Sequence, residues 1–266
     1  MNRLVLASAS AAVLLVSAGA AFAADEEPAI CTDRPTKANS TCTVPAGKWQ
    51  LEADVVNYTN IDVGGVRTET TLFTNPTLKY GIDDRSDLQI TWSPQVRIET
   101  HVGGLSDSLS GPGDVLVRYK RRLTADDAAW GVSVIPFVKI PTARRGIGNR
   151  EFEGGVALPF GTTANGYSVT FGPEVDVLLD ADGDGYHAAV INLVNVAHPL
   201  TDRLSMAGEL WMANNFDPAG QVNQASADVA FTYLATRTVQ LDVGANFGLN
   251  SDTPDYQLYA GVSRRF

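Results

Sequence analysis

The chain has 266 residues, a formal net charge of −10 and only 19% charged residues. That acidic balance argues against nucleic-acid binding, which wants a basic surface. A mean hydropathy of −0.03 is high for a soluble domain of this charge content, and it fits strands with one polar and one apolar face.

Met1 to Ala23 carries a basic residue, Arg3, then an apolar run from Leu4 through Val16. It closes on Ala21-Phe22-Ala23. This reads as a cleaved secretory signal over residues 1–23. Downstream, no run approaches the ~18 apolar residues of a spanning helix. Membrane residence then has to come from strands.

Residues 24–47 read as a polar amino-terminal segment on the periplasmic side, punctuated by Pro35, Pro45 and Gly47. Folding into the barrel mouth is the alternative. Cys31 and Cys42 lie within this segment, and an oxidising compartment favours a disulfide over free thiols. Closing so short a loop stabilises by roughly 3 kcal/mol in the chain-entropy view.

From residue 48 to 266 the sequence alternates with the two-residue period of strands. Trp49, Leu51 and Ala53 oppose Gln50, Glu52 and Asp54. Leu88, Ile90, Trp92, Val96 and Ile98 oppose Asp87, Gln89, Thr91, Arg97 and Glu99. Val115, Val117 and Tyr119 oppose Arg118, Lys120 and Arg122. Val175, Val177 and Leu179 oppose Glu174 and Asp176. About twelve such runs are expected, joined by connections that alternate between short and long. The fold class is therefore all-β: a closed, antiparallel, up-and-down transmembrane β-barrel of about twelve strands with both termini at the short-turn end. The segments 60–66 and 101–112 are expected as external loops. Pro76, Pro94, Pro136 and Pro173 interrupt apparent strands and predict bulges or positions near the rims.

If the apolar phase faces lipid, Arg97, Glu99, Arg118, Lys120, Arg122, Glu174 and Asp176 line the lumen. There they either bias solutes by charge or pair with one another across the interior, the cations with carboxylates such as Glu69, Glu99, Glu153 or Glu174. Asp180, Asp182 and Asp184 open like a calcium loop, but Ile191 stands where the bidentate Glu belongs. A tight external turn is the main reading, with a weak cation site as the alternative. The three histidines, His101, His187 and His198, match no catalytic spacing. No cofactor is called for.

The chain ends on Phe266 after an alternating run from Tyr256. It resembles bacterial outer-membrane barrels, in which a terminal aromatic strand is read by the barrel-assembly machinery. More specifically, NPTLKYGIDDR (Asn75 to Arg85), LQITWSP (Leu88 to Pro94), PFVKIPT (Pro136 to Thr142), EGGVALP (Glu153 to Pro159) and HPLTDRLS (His198 to Ser205) resemble the outer-membrane transporter family labelled "putative meta-pathway of phenol degradation". The resemblance implies a channel or transporter for small solutes, with outer-membrane lipid as its surround. It names no solute. A closed structural barrel and a barrel enzyme are the alternatives.

Overall fold

The computed structural model describes residues 28–266. The signal segment, residues 1–23, and the first residues of the polar segment lie outside the described residues.

Twelve passes form the wall. The first is β1 (Trp49–Val63). The next three are each broken in two: β2 (Val66–Phe73) with β3 (Pro76–Asp83), β4 (Ser86–Trp92) with β5 (Gln95–Val102), and β6 (Leu105–Gly111) with β7 (Val115–Arg122). The fifth is β8 (Gly131–Ile140). The sixth and seventh are broken again: β9 (Glu153–Ala157) with β10 (Phe160–Ala164), and β11 (Tyr167–Phe171) with β12 (Glu174–Leu179). The last five are continuous: β13 (Tyr186–Pro199), β14 (Leu204–Asn215), β15 (Val222–Thr236), β16 (Val239–Gly248) and β17 (Tyr256–Arg265). β17 pairs with β1 from Gln50↔Arg265 to Asn60↔Tyr256, which closes the barrel and leaves no sheet edge.

The wall is inverted relative to a soluble protein. Its outer face carries Leu88, Ile90, Trp92, Val175, Val177, Leu210, Met212, Leu241 and Val243, all exposed. Its inner face buries Gln50, Glu52, Asp54, Lys79, Asp87, Gln89, Lys120, Asp228 and Asp242. Aromatic pairs mark two levels on the outside. Trp49 and Tyr80 lie 4.7 Å apart at the end bearing the termini, and Tyr58 and Tyr256 lie 6.1 Å apart towards the other end. An apolar band between aromatic girdles suits a bilayer.

Prolines account for the broken passes. Pro94, Pro112, Pro159 and Pro173 fall in the gaps, and Pro76 opens β3. Each lacks the donor a ladder needs. Pro136 is the exception: it stays within β8, opposite Val156, and points outward.

The first break line corrects the sequence reading of the third pass. Below Pro94, Leu88, Ile90 and Trp92 face out while Asp87 and Gln89 are buried. Above it the phase inverts, and Val96 is buried. Arg97 pairs with Thr71, Thr71 with Tyr58, and Tyr58 with Leu258, an exposed outward residue. Arg97 and its ion-pair partner Glu99, 2.7 Å away, therefore lie on the outer face of the rim and do not line the lumen. The first pass inverts too, through a bulge between Asp54 and Val56. Alternation alone cannot reveal a phase change that neighbouring passes make together.

The expected loops at 60–66 and 101–112 are also strand. Gly64-Gly65 and Gly103-Gly104, all at positive φ, make two-residue turns, and the ladder runs up to each. The Ser- and Asp-rich sequence after Gly104 reflects a hairpin standing in water, not an absence of structure.

Candidate functional site: the plugged lumen

The polar segment does not stay outside the barrel. Residues 28–47 enter the lumen from the end bearing the termini, where Trp49 and Phe266 exchange backbone hydrogen bonds. A disulfide joins Cys31 and Cys42 and closes the loop that goes deepest. Thiol labelling under denaturing, non-reducing conditions is expected to find neither cysteine free. Labelling of both would refute the pairing.

The loop is held by polar groups of the inner wall. Asp33 accepts from Lys79 and Lys120, each at 2.5 Å, and its backbone N–H donates to Glu52. Arg34 forks between Asp54 at 2.6 Å and Asp242 at 2.7 Å. Thr36 bonds Asn195. The Lys37 ammonium reaches Asp228 and Ser226 and lies 5.0 Å from the centre of the Trp211 ring. Glu209 accepts from the backbone N–H groups of Lys37 and Ala38. Asp87 accepts from Val44 N–H, Ser133 donates to the Thr41 carbonyl, and Arg265 donates to the Pro28 carbonyl. Among the described residues, ten of the twelve passes bond the plug. The sixth and seventh, from Glu153 to Leu179, do not.

The electrostatics follow from this geometry. Burial by itself would raise the Asp33 carboxyl. The Lys120 and then the Lys79 charge outweigh it and hold that carboxyl far below the usual carboxylate range. Burial would lower Arg34, but its hydrogen bond to Asp242 and the Asp54 charge raise it further above its ordinary value. Both plug charges are thus fixed in their ionised forms by partners on the wall.

Two cavities flank the loop, and Arg34, Thr36 and Asn39 border both. One, of about 740 Å³, faces the end bearing the termini and includes Cys31, Cys42 and Arg122 in its lining. The other, of about 460 Å³, is lined by Arg118, Glu174, Asp176 and Trp211 among others. Outside the wall beside it lies an apolar groove of about 360 Å³ formed by Phe160, Phe171, Leu210 and Met212. Leu193 borders both the groove and the inner cavity at the Gly172-Pro173 break.

The structure thus separates the sequence candidates. Lys120 is 1% exposed, with Asp33 and Ser40 of the plug as its partners. Arg118 faces the interior and donates to Asn39. Glu174 and Asp176 border the inner cavity. Arg122 lies lower and pairs with Asp126 of the next turn. The cation stripe was expected either to line a wet channel or to meet wall carboxylates such as Glu69, Glu99, Glu153 or Glu174; Lys120 instead meets Asp33, a carboxylate carried by the plug. Asp180, Asp182 and Asp184 do not converge. Asp180 turns to His187 at 2.8 Å, and Asp182 accepts from the Asp184 backbone. Among the described residues no group of three or more such side chains is placed to hold a metal ion. Sequence reasoning missed Asp33, Arg34 and Lys37. Their one signal was a D-R-P-T-K run enriched in charge inside a segment otherwise read as spacer.

Comparisons place this architecture. The structure is similar to an outer membrane channel from Pseudomonas putida F1, at 13% identity and a TM-score of 0.68, covering 85% of this chain and 98% of that one. It is similar to the NanC porin at 9% identity and a TM-score of 0.53, covering 81% and 98%. The translocator domain of the autotransporter NalP from Neisseria meningitidis follows at 12% and 0.51, covering 84% and 90%. At these identities the likeness is one of fold: all are outer-membrane barrels. No curated protein matches the sequence. A family profile described as "Putative MetA-pathway of phenol degradation" matches residues 32–266, from the plug to the terminal phenylalanine, and the chain belongs to that family.

Proposed function

We propose that the protein is an outer-membrane channel for small solutes, held closed by its own amino-terminal loop. The carrying observation is the position of that loop. It crosses a polar lumen, bonds ten passes, and leaves cavities above and below it. A barrel built only as a scaffold has no need of a cavity on each side of the segment that fills it. Signal cleavage after Ala23 and insertion with the plugged end towards the periplasm complete the reading, since short turns lie on that side in such barrels. Outer-membrane lipid surrounds the apolar band, and Phe266 presents the terminal strand to the assembly machinery.

Catalysis is not part of the proposal. His101 stands opposite Ser106 in the ladder but turns to Glu69. His187 bonds Asp180, and His198 bonds the Gly166 carbonyl. Among the described residues no histidine bonds a serine hydroxyl, the arrangement that acyl transfer requires.

The test is conductance. In planar bilayers the intact protein is expected to pass little current, and the same chain lacking residues 28–45 severalfold more. If neither form conducts, the barrel is structural and the proposal fails.

A further inference from the structure

We infer that solutes cross the plug along the arc of the sixth and seventh passes, through a constriction set by Thr36 and Asn39, while the charged side of the loop stays docked. The inference rests on the channel reading and locates the path within it.

The partition between the two cavities is thin. On the sixth pass Pro159 borders the 460 Å³ cavity and Gly161 the 740 Å³ one. On the seventh the corresponding pair is Gly172 and Thr170, and on the eighth it is Leu193 and Asn195. Each time the change comes two residues along the strand, about 7 Å. One layer of side chains therefore separates the cavities. Gly161, Thr170 and Asn195 also stand in one register row, Gly161 opposite Thr170 and Thr170 opposite Asn195. Gly161 leaves that row one side chain short.

On the plug, Arg34, Thr36 and Asn39 border both cavities. Arg34 is committed to Asp54 and Asp242. The other two are held by single contacts that join no opposite charges. Thr36 Oγ1 accepts from Asn195 of the eighth pass at 3.1 Å. Asn39 Oδ1 accepts from Arg118 of the fourth pass at 3.5 Å, the limit of a hydrogen bond. These two contacts flank the arc that does not bond the plug. Between them the fifth pass reaches the loop through Ser133 and Thr41. The charge pairs of Asp33, Arg34 and Lys37 all go to other passes: the first, second, fourth, tenth and eleventh. Buried charge pairs cost more to break than such single hydrogen bonds. A turn of the Thr36 and Asn39 side chains opens the partition without moving the backbone, whereas release of the loop breaks every charge pair at once.

The test joins current in planar bilayers to trypsin cleavage after Lys37, read by mass spectrometry on protein in detergent. Thr36→Ala with Asn39→Ala is expected to raise the current severalfold over the intact protein, with Lys37 still protected. Adding Thr170→Trp should return the current to the level of the intact protein, because the indole fills the path from the wall. The barrel's heat-modifiable migration on gels checks folding. If the variant with tryptophan does not fold, protection of Lys37 decides. Cleavage after Lys37 in the double variant would mean that the whole loop leaves, and would overturn the inference. So would a folded Thr170→Trp variant that still passes the raised current. Unchanged current in the double variant beside an open loop-deleted chain would overturn the inference alone. A loop-deleted chain without current would overturn the channel reading, and the inference with it.

Discussion

Asp33→Ala is expected to raise the current of the reconstituted protein severalfold, close to the level of the loop-deleted chain. Asp33 sits between two ammonium groups that are 3% and 1% exposed, Lys79 and Lys120. Without it Lys79 keeps Glu52, but Lys120 keeps as hydrogen-bond partners only the backbone and hydroxyl of Ser40, with the Asp87 charge as its remaining counterion. Breaking a buried pair from one side costs about 3–5 kcal/mol, because the other charge stays behind without compensation. At about 1.4 kcal/mol per tenfold, the docked loop loses two or more orders of magnitude of its advantage over the released loop. The companion variant Asp33→Ala with Lys120→Met removes the stranded charge and should close the channel again in part. The pH dependence has a definite sign. A carboxyl lowered by docking contributes above its ordinary value of 3.8, and that contribution is lost as pH falls below it. The latch therefore holds throughout the neutral range. Unchanged current in Asp33→Ala, with an open loop-deleted chain, would show that this contact does not hold the plug.

Gly261→Val is expected to open the channel from the opposite wall. The Arg34 guanidinium lies directly against Gly261 of β17, where any β-carbon would collide with it. A valine there pushes the guanidinium off Asp54 and Asp242. These two carboxylates are 3% and 4% exposed and would be left without their cation. Water entering to solvate them dislodges the loop, and the uncovered carboxylates should turn the current towards cations. Reversal potentials in a salt gradient measure that shift. Gly208→Ala in β14 is the control, since nothing lies within 4 Å of the β-carbon it would add. Arg34→Lys should act in the same direction as Gly261→Val, because a lysine cannot fork to two carboxylates. Wild-type current and selectivity in Gly261→Val would remove Arg34 from the latch.

Both variants act through one device, a charged loop inside a charged barrel. The inner wall is polar because the membrane requires the outer wall to be apolar. A polar lumen of fixed charges needs either water or partners. The D-R-P-T-K run supplies partners of both signs: Asp33 for two lysines, Arg34 for two aspartates, and Lys37 for a third. The disulfide keeps the loop short, so less chain entropy is lost on docking. The sixth and seventh passes stay out of this network, and Glu174 and Asp176 of the seventh border the cavity that remains.

Sequence by itself determined the all-β class, the twelve passes, the antiparallel closure and the outward apolar phase of most strands. Those features are periodic, and a membrane enforces the period on every pass. It also marked the cysteines, and the inward direction of Lys120, Glu174 and Asp176, through the same alternation. Only the tertiary structure decided where the amino-terminal segment goes, because a polar stretch suits water and a charged lumen equally well. The partners of Lys120 and Asp242 lie 87 and 208 residues away in sequence, which no local pattern can report. The outward turn of Arg97 and Glu99 was likewise decided in three dimensions: a bulge and several prolines on adjacent passes shift phase together, and one strand read alone keeps its count.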